Sequence, residues 1–291
     1  MEQRSNRLGW LFTSPYLIYS LIFFFGPLIW SFFLSVTDWN LIAPSFNIVG
    51  LKNFMEALKS PSVHAAFWVT YKFMMFFVPM VTVLSVAVAV LVHGLPRLRS
   101  LFLIGFFLPY LSSGVVSALI VKGLLSYTSP LNVFLRGIGL DIDWLGTPFS
   151  ALFIVGLILA WKFTGYYALI LTSGLENINK EIYEAAAIDG ATDQTRFWRI
   201  TLPLLYPSLY TTLILAFGVT FGIFTEVYQL TGGGPSNATN TWQMEIFKQA
   251  FTNLDAGYAS AVALLASVAT VISIFIIRKL LEIWGKRNGW V

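Results

Sequence analysis

The sequence has no cysteine and only two histidines, His64 and His93, among 291 residues. The lack of cysteine excludes disulfides, thiolate catalysis, iron–sulfur clusters and cysteine zinc sites. Two histidines far apart in the chain also disfavour a histidine metal site, so no metal and no catalytic residue is expected. Charge is scarce as well, since Asp, Glu, Lys and Arg make up 11% of the chain against about 25% in soluble domains.

Hydrophobic residues make up 57% of the chain, more than the interior of a soluble domain of this length can enclose. The surplus predicts a membrane protein. Hydrocarbon cannot hydrogen-bond a bare backbone, so each span needs a helix of about 20 apolar residues. Six runs fit, and the predicted fold is all-α and polytopic, with a bend in the first run near Gly26-Pro27. The runs are Leu8–Thr37, Phe73–Val92, Ser100–Val121, roughly Phe149–Thr172, Ile200–Thr225 and Ala256–Ile277.

The basic residues are distributed unequally between the two sides of this arrangement. Eleven of the 18 fall on the side of the termini and of the loops after the second and fourth helices, and five on the other side. Because Lys and Arg concentrate on the cytoplasmic side, we expect both termini in the cytoplasm. The eleven are Arg4, Arg7, Arg97, Arg99, Lys180, Arg196, Arg199, Arg278, Lys279, Lys286 and Arg287.

The loop over 176–203 carries helical signals of its own on the predicted cytoplasmic side. Asn179 can cap one short helix, and Gly190 follows where a chain leaving a helix often needs positive φ. Thr192 can cap a second helix with an apolar side. Amphipathicity alone would also fit a solvated loop lying on the membrane surface.

The residue spacing in this loop distinguishes these two interpretations. Glu184-Ala185-Ala186, then Gly190 after three residues and Ile200-x-Leu202-Pro203 after nine more, resembles the signature of permease subunits of binding-protein-dependent ATP-binding-cassette importers. The resemblance implies the permease fold called type I and a coupling helix that docks on an ATPase subunit. The residues it assigns to that contact are Glu184, Ala185, Ala186, Asp189, Gly190 and Ala191.

Further segments resemble the carbohydrate-uptake branch of this family, of the maltose and glycerol-phosphate type. They are Thr37–Asn40, Val49–Phe54, Leu108–Tyr110, Ile188–Ala191, Leu230–Pro235, Ala250-Phe251 and Gly257–Ala261. The resemblance implies an N-terminal anchor helix and first external loop in 1–70, and a permease core with five transmembrane helices in 71–291. It also implies a prokaryotic cytoplasmic (inner) membrane and the import of a sugar, oligosaccharide or sugar derivative.

The resemblance also implies partners. They are a second related permease subunit, two ATPase subunits, an external solute-binding protein, the sugar and the lipid bilayer, and no nucleic acid is expected. The chain itself would bind no cofactor and catalyse no reaction, because ATP and Mg belong to the ATPase. The Gly232-Gly233-Gly234-Pro235 loop lacks the Lys-Ser/Thr of a phosphate loop. The binding protein would dock on the outer loops, roughly Asp38–Ala65, Lys122–Thr147 and Glu226–Asp255.

Lys162 is the basic residue within the fourth predicted helix, and ionisable residues in a span usually face a cavity or a partner. Helical spacing places it on one face with Leu159, Phe163 and Tyr166. Resemblance to maltose-type permeases implies a sugar pocket at Tyr166, Tyr110 and Thr220. Two roles for Lys162 remain open: contact with a hydroxyl-rich or anionic sugar, or a structural cation that hydrogen-bonds helix carbonyls or snorkels.

Two other function classes fit the sequence less well. An ion-coupled secondary transporter would be expected to carry Asp or Glu inside its spans, and none of the 14 acids lies in an apolar run. An integral membrane enzyme would need a catalytic group of side chains, and the chain offers no cysteine and no carboxylate pair in the spans. The sequence therefore favours a transport subunit, with the ion-coupled transporter as the alternative.

Overall fold

The computed structural model describes residues 2–95 and 97–290. These residues form helices joined by loops, with two isolated β-bridges at Thr37↔Ile48 and Asn40↔Asp255. The all-α prediction is confirmed. The helices are α1 (Glu2–Ser20), α2 (Gly26–Ser35), α3 (Lys52–Lys59), α4 (Pro61–His93), α5 (Arg99–Leu111), α6 (Gly114–Leu125), α7 (Pro130–Gly137), α8 (Pro148–Glu176), α9 (Lys180–Ile188), α10 (Asp193–Arg196), α11 (Leu202–Leu204), α12 (Tyr206–Gly222), α13 (Thr225–Leu230), α14 (Trp242–Phe247) and α15 (Ala256–Arg287).

Five of the described helical stretches are long and apolar enough to cross a membrane, and a bent pair can supply a sixth. The bent pair is Asp193–Leu204 with Tyr206–Gly222, and the helical direction changes by 67° between them. The five are Gly9–Ser35, Pro61–His93, Gly114–Gly137, Pro148–Glu176 and Ala256–Arg287. The membrane helices are therefore found near the predicted runs, but most extend beyond them.

The first span is irregular next to Gly26-Pro27. A π-helical turn, Leu21–Phe25, separates α1 from α2, and the Gly26 N–H donates to the Leu21 carbonyl five residues earlier. Proline has no N–H and crowds the preceding turn, so regular α-helical bonding cannot run unbroken through Pro27. The irregularity lies one turn before the predicted bend.

The third predicted run, Ser100–Val121, is not one helix, and this is a correction. It divides into α5 and α6, with Ser112 and Ser113 extended at ψ 145° and 141°. Pro109 in the last turn of α5 cannot donate a helical hydrogen bond. At the end of the helix, the Ser112 hydroxyl and the Ser112 N–H both donate to the Pro109 carbonyl, at 2.6 and 3.3 Å. This break positions the start of α6 for the site described below.

The chain forms two compact units, and each unit consists of two separate segments of the sequence. One comprises the residues up to His64 together with Glu245–Val268, and the other comprises Ala65–Met244 together with Ala269–Val291. The predicted division separates residues 1–70 from residues 71–291 at a single point in the sequence. The first compact unit, by contrast, also contains residues 245–268. That functional division stays a prediction.

The first unit brings together segments that lie far apart in the sequence. The buried Asn53 amide donates to the carbonyls of Ser35 and Thr37, at 3.0 and 2.7 Å. The Gly257 N–H donates to the Trp39 carbonyl at 3.1 Å, and a β-carbon at Gly257 would overlap Thr37. Three of the segments quoted for the sugar-permease branch therefore form one folded loop region.

The second unit is organised around α8. In its most apolar stretch 67% of the residues are buried within the chain, against 0% for the first span. Its close neighbour is α5, and Gly165 makes that approach possible because a β-carbon there would overlap the Phe106 backbone. Small residues permit such close approach of helices in membranes.

We expect Gly165→Ala to lower the unfolding temperature of the detergent-purified protein, because α5 and α8 must separate to admit the methyl group. Overpacking of this kind costs about 1–3 kcal/mol. The matched control is Gly218→Ala in α12, where a β-carbon meets no heavy atom within 4 Å. Its midpoint should stay unchanged or rise, since alanine favours helix. Equal midpoints for both variants would contradict the close contact.

Candidate functional site

Lys162 forms a buried ion pair. Its Nζ lies 2.8 Å from Glu226 Oε1, and the two residues are 8% and 7% exposed. Lys162 lies on α8 and Glu226 in the first turn of α13, 64 positions later in the sequence. The opposite charges compensate each other, which a buried cation or carboxylate requires. This arrangement differs from the carbonyl-bound or snorkelling lysine that the sequence left open.

The carboxylate of Glu226 is enclosed by α6. A β-carbon at Gly114, the first residue of α6, would lie 2.8 Å from Glu226 Oε1 and 3.1 Å from Thr225 Cγ2. Only glycine therefore fits without displacing the glutamate. The break between α5 and α6 creates this position, because it starts a new helix beside α13.

Residues that follow α13 donate hydrogen bonds to carbonyl groups at the end of α12. These bonds hold the segment before Glu226 in place. The Thr241 hydroxyl donates to the Ile223 carbonyl at 3.1 Å, and the Gln243 amide donates to the Phe221 carbonyl at 3.3 Å. These carbonyls lie where α12 stops and the chain turns into α13. Two carbonyls at the end of α12 are thus paired within the protein, as buried backbone groups require.

An aromatic platform lies beside the ion pair. Tyr110 of α5 stacks on Tyr166 of α8 with ring centroids 4.6 Å apart and planes 10° apart, and Phe163 packs edge-on against Tyr110 at 5.4 Å. Tyr166 is one helical turn from Lys162, and Tyr110 precedes the α5–α6 break that ends at Gly114. The platform of Tyr110, Phe163 and Tyr166 and the ion pair are therefore adjacent along two packed elements. All three rings are half-buried.

The structure brings together three of the four residues proposed for the sugar. Tyr110, Tyr166 and Lys162 lie on neighbouring parts of α5 and α8. Thr220 on α12 is fully buried at 0% exposure, and its hydroxyl donates to the Ala216 carbonyl at 3.0 Å. Its side chain is thus used within its own helix.

Glu226 was missed by the sequence reasoning, which placed it in the outer loop Glu226–Asp255. It follows the apolar run Ile200–Thr225 directly, so hydropathy gives no reason to bury it. The signal that could have found it is charge balance, because a lysine within a span needs a partner. Among residues 2–95 and 97–290, no group of three His, Asp or Glu side chains is placed to hold a metal ion.

The second region of interest is the loop around α9. Asn179 caps α9 by accepting from the Glu181 N–H at 3.1 Å, and Thr192 caps α10 by accepting from the Thr195 N–H at 3.3 Å. Gly190 has φ +77° and donates to the Ala187 carbonyl, while Ala191 donates to the Ala186 carbonyl. This pair of bonds is a Schellman helix ending, which favours glycine at the left-handed position. The predicted caps and the predicted positive φ are confirmed.

The α9 surface is largely open. Glu184, Ala185, Asp189 and Gly190 are exposed, Ala191 is half-buried and Ala186 is buried. Ile188 at the end of α9 is 88% exposed. This large aliphatic side chain therefore lies next to small and acidic residues. A β-carbon at Gly190 would have nothing of this chain within 4 Å, so the surface has room for another molecule.

The inner side of this loop is anchored to the membrane helices. The Tyr183 hydroxyl lies 3.0 Å from the Thr201 hydroxyl, which links α9 to the start of α11. Tyr183 and Leu202 also pack on a buried cluster. Its residues come from α4, from α8, from the segment just after α8 and from the start of α12. The cluster is Val88, Ala89, Val92, Ala168, Leu171, Leu175, Ile178, Leu205 and Leu209. Displacement of α9 would therefore act on three helices together.

We expect Lys162→Met to lower the unfolding temperature strongly, because it leaves Glu226 buried without its partner. Breaking a buried ion pair costs about 3–5 kcal/mol. The double variant Lys162→Met/Glu226→Gln carries no unpaired charge and should recover much of the loss. As a control, Arg278→Met breaks the exposed pair with Glu282 and should change the midpoint little. A single variant as stable as the double would contradict the pairing.

Comparison with known proteins identifies the family. The model for "Binding-protein-dependent transport system inner membrane component" matches residues 67–283. The multiple sugar-binding transport system permease protein MsmF of Streptococcus mutans is 31% identical over 258 residues, covering 88% of this chain and 89% of that protein. The trehalose/maltose transport system permease protein MalF of Thermococcus litoralis is 33% identical over 271 residues, covering 92% and 91%.

A solved structure shares the fold. A chain of the bacterial alginate ABC transporter, in complex with an alginate pentasaccharide-bound periplasmic protein, superposes with a TM-score of 0.79 at 22% identity and covers 94% of both chains. Its fold agrees with the type I permease fold expected from the sequence, and the family model and the two relatives agree with the coupling-loop resemblance. The chain belongs to the family of inner membrane components of binding-protein-dependent transport systems.

Proposed function

We propose that the chain is the permease subunit that carries a sugar, an oligosaccharide or a sugar derivative through the membrane by alternating access. The observation that carries this proposal is the Tyr110–Tyr166 stack beside the Lys162–Glu226 pair. Sugars offer apolar ring faces to aromatic side chains and hydroxyl groups to polar ones. The relatives named as multiple-sugar and trehalose/maltose permeases support the same class of cargo.

In this proposal Tyr110, Lys162 and Tyr166 contact the sugar. Thr220 contributes indirectly, by shaping α12 through its bond to Ala216. An ion-coupled transporter is supported by neither the comparisons nor the one acid found in this region. Glu226 is paired with Lys162 at 2.8 Å, so both charged groups in this part of α8 and α13 have a partner within the protein.

The chain would act within a complex. It would pair with a second related permease subunit, take sugar from an external binding protein and dock on two ATPase subunits that hold ATP and Mg. Both termini and the loop 176–203 would lie in the cytoplasm. Residues 71–291 would form the permease core and 1–70 an anchor with the first external loop, a division that the family match beginning at residue 67 supports.

Docking of the ATPase is assigned to Glu184, Ala185, Ala186, Asp189, Gly190 and Ala191. The open, small surface and the exposed Ile188 suit a partner that encloses the end of α9. Buried Ala186 sets the orientation of the helix, Ala191 is half-buried, and the other four residues are exposed. Because Tyr183 connects α9 to the buried cluster, movement of the ATPase would reach α4, α8 and α12.

The first test is assembly and transport. Affinity purification of the chain should recover an ATPase and a second permease, and liposomes holding the complete complex should accumulate radiolabelled sugar when ATP and the binding protein are present. Trehalose, maltotriose, lactose and arabinotriose are suitable first probes. Liposomes holding the chain alone should accumulate none, since it has no ATPase. Sugar uptake by the chain alone, along an ion gradient, would refute the proposal.

The second test concerns the coupling surface. We expect Gly190→Trp to leave expression and membrane insertion intact while sugar uptake falls at least tenfold, because an indole would obstruct the docking surface and the left-handed position disfavours it. ATP hydrolysis and uptake are measured together in the same vesicles. Gly289→Trp is the matched control, as Gly289 is also exposed, open and at positive φ, +66°. Full uptake by Gly190→Trp would remove this assignment.

A further inference from the structure

The Lys162–Glu226 pair has no net charge. The other residues of the proposed site are uncharged: Leu159, Phe163 and Tyr166 share a face of α8 with Lys162, and Tyr110 of α5 stacks on Tyr166. The platform and the buried pair together therefore form a proposed site that is polar but carries no net charge. This balance depends on Glu226, because Lys162 alone would make the same site cationic.

Glu226 is held in place from several sides. The backbone of Gly114 lies so close to its carboxylate that a β-carbon there would clash with it. Val227 and Leu230 of the same short helix are buried, and the Thr241 hydroxyl donates a hydrogen bond to the turn before the helix. A carboxylate fixed in this way stays close to Lys162. An arriving anion would have to compete with it for the ammonium group.

The hydrogen-bonding capacity of the pair also differs for neutral and anionic cargo. A lysine ammonium has three donors, of which one is directed at Glu226 Oε1, and a carboxylate has about four acceptor positions. Sugar hydroxyls can both donate and accept, so they can bond to the two partners without separating them. A carboxylate or phosphate can only accept and would meet the like charge of Glu226.

We propose that Glu226 is a specificity-determining residue: by balancing Lys162 it makes the site take uncharged, hydroxyl-rich sugars and reject sugar acids and sugar phosphates. This inference rests on the proposed function, that the cargo is a sugar. It narrows the cargo left open by the sequence, where an anionic derivative was equally acceptable.

The test is equilibrium binding to the detergent-purified complex with the external binding protein omitted, so that only the membrane site selects. The probes are radiolabelled maltotriose, digalacturonate and glucose 6-phosphate. The measured quantity is the ratio of affinities for the neutral and the acidic probes. The variants are Glu226→Gln, Lys162→Met and Lys162→Met/Glu226→Gln, and Glu282→Gln, which breaks the exposed pair with Arg278, is the matched control.

We expect the wild type, the double variant and the control to prefer the neutral probe at least tenfold. Glu226→Gln should shift the ratio at least tenfold toward the acidic probes, and Lys162→Met should shift it in the opposite direction. Loss of folding cannot produce opposite shifts, and the double variant gives a readout even where a single variant does not assemble.

Two results would overturn the inference alone: a wild type that prefers the acidic probes, or ratios that are equal in Glu226→Gln, Lys162→Met and wild type. A complex that imports no sugar in the liposome assay would overturn the proposed function and this inference with it. Sugar import with unaltered ratios separates the two, because it preserves the function and rejects the role of Glu226.

Discussion

The compensation of one buried charge constrains much of the second unit. Lys162 lies on α8, whose most apolar stretch has 67% of its residues buried within the chain, and a lone ammonium group there would be strongly destabilising. Its partner has to come from another element, and Glu226 can reach it only because α12 ends at Gly222 and the chain turns into α13. The same carboxylate needs Gly114, and Gly114 is a helix start only because α5 ends at Leu111. Two helix breaks and one glycine are thus required for this one ion pair to form.

The same helix carries the two regions of functional interest. Lys162 and Tyr166 lie in the middle of α8, and Leu175 near its end belongs to the buried cluster that anchors α9. Glu176 follows Lys162 by 14 positions, which is about 21 Å of continuous helix. A rigid helix of this kind can transmit a displacement of the α9 loop to the ion pair and the platform without an intervening hinge. The proposed coupling surface and the proposed cargo contacts are therefore parts of one packed body.

Local chemistry could be predicted from the sequence with good success. Apolar runs located the membrane helices, and Asn179, Gly190 and Thr192 have the cap and turn roles their residue types favour. These features depend on neighbours within a few positions. The spacing from Glu184 to Pro203 also identified the family, because it combines seven positions in one short loop.

Features that depend on distant residues could not be predicted. Hydropathy treats Ser100–Val121 as one run, although Pro109 and Ser112 end a helix within it. It assigns Glu226 to water because the residue stands at the edge of a run. The meeting of Asn53 with Thr37, and of Gly257 with Trp39, likewise follows from tertiary packing. Thr220 was chosen by resemblance, and its hydroxyl is bound within its own helix.

We infer that Lys162 and Glu226 act as a charge-balanced pair during sugar transport. The most direct measurement is sugar uptake into liposomes by the exchanged variant Lys162→Glu/Glu226→Lys beside each single exchange. We expect each single exchange, which places two like charges together, to abolish uptake. The double exchange should restore at least about a tenth of the wild-type rate, because the two side chains again attract each other. A double exchange as inactive as the single ones would contradict this role of the Lys162–Glu226 pair.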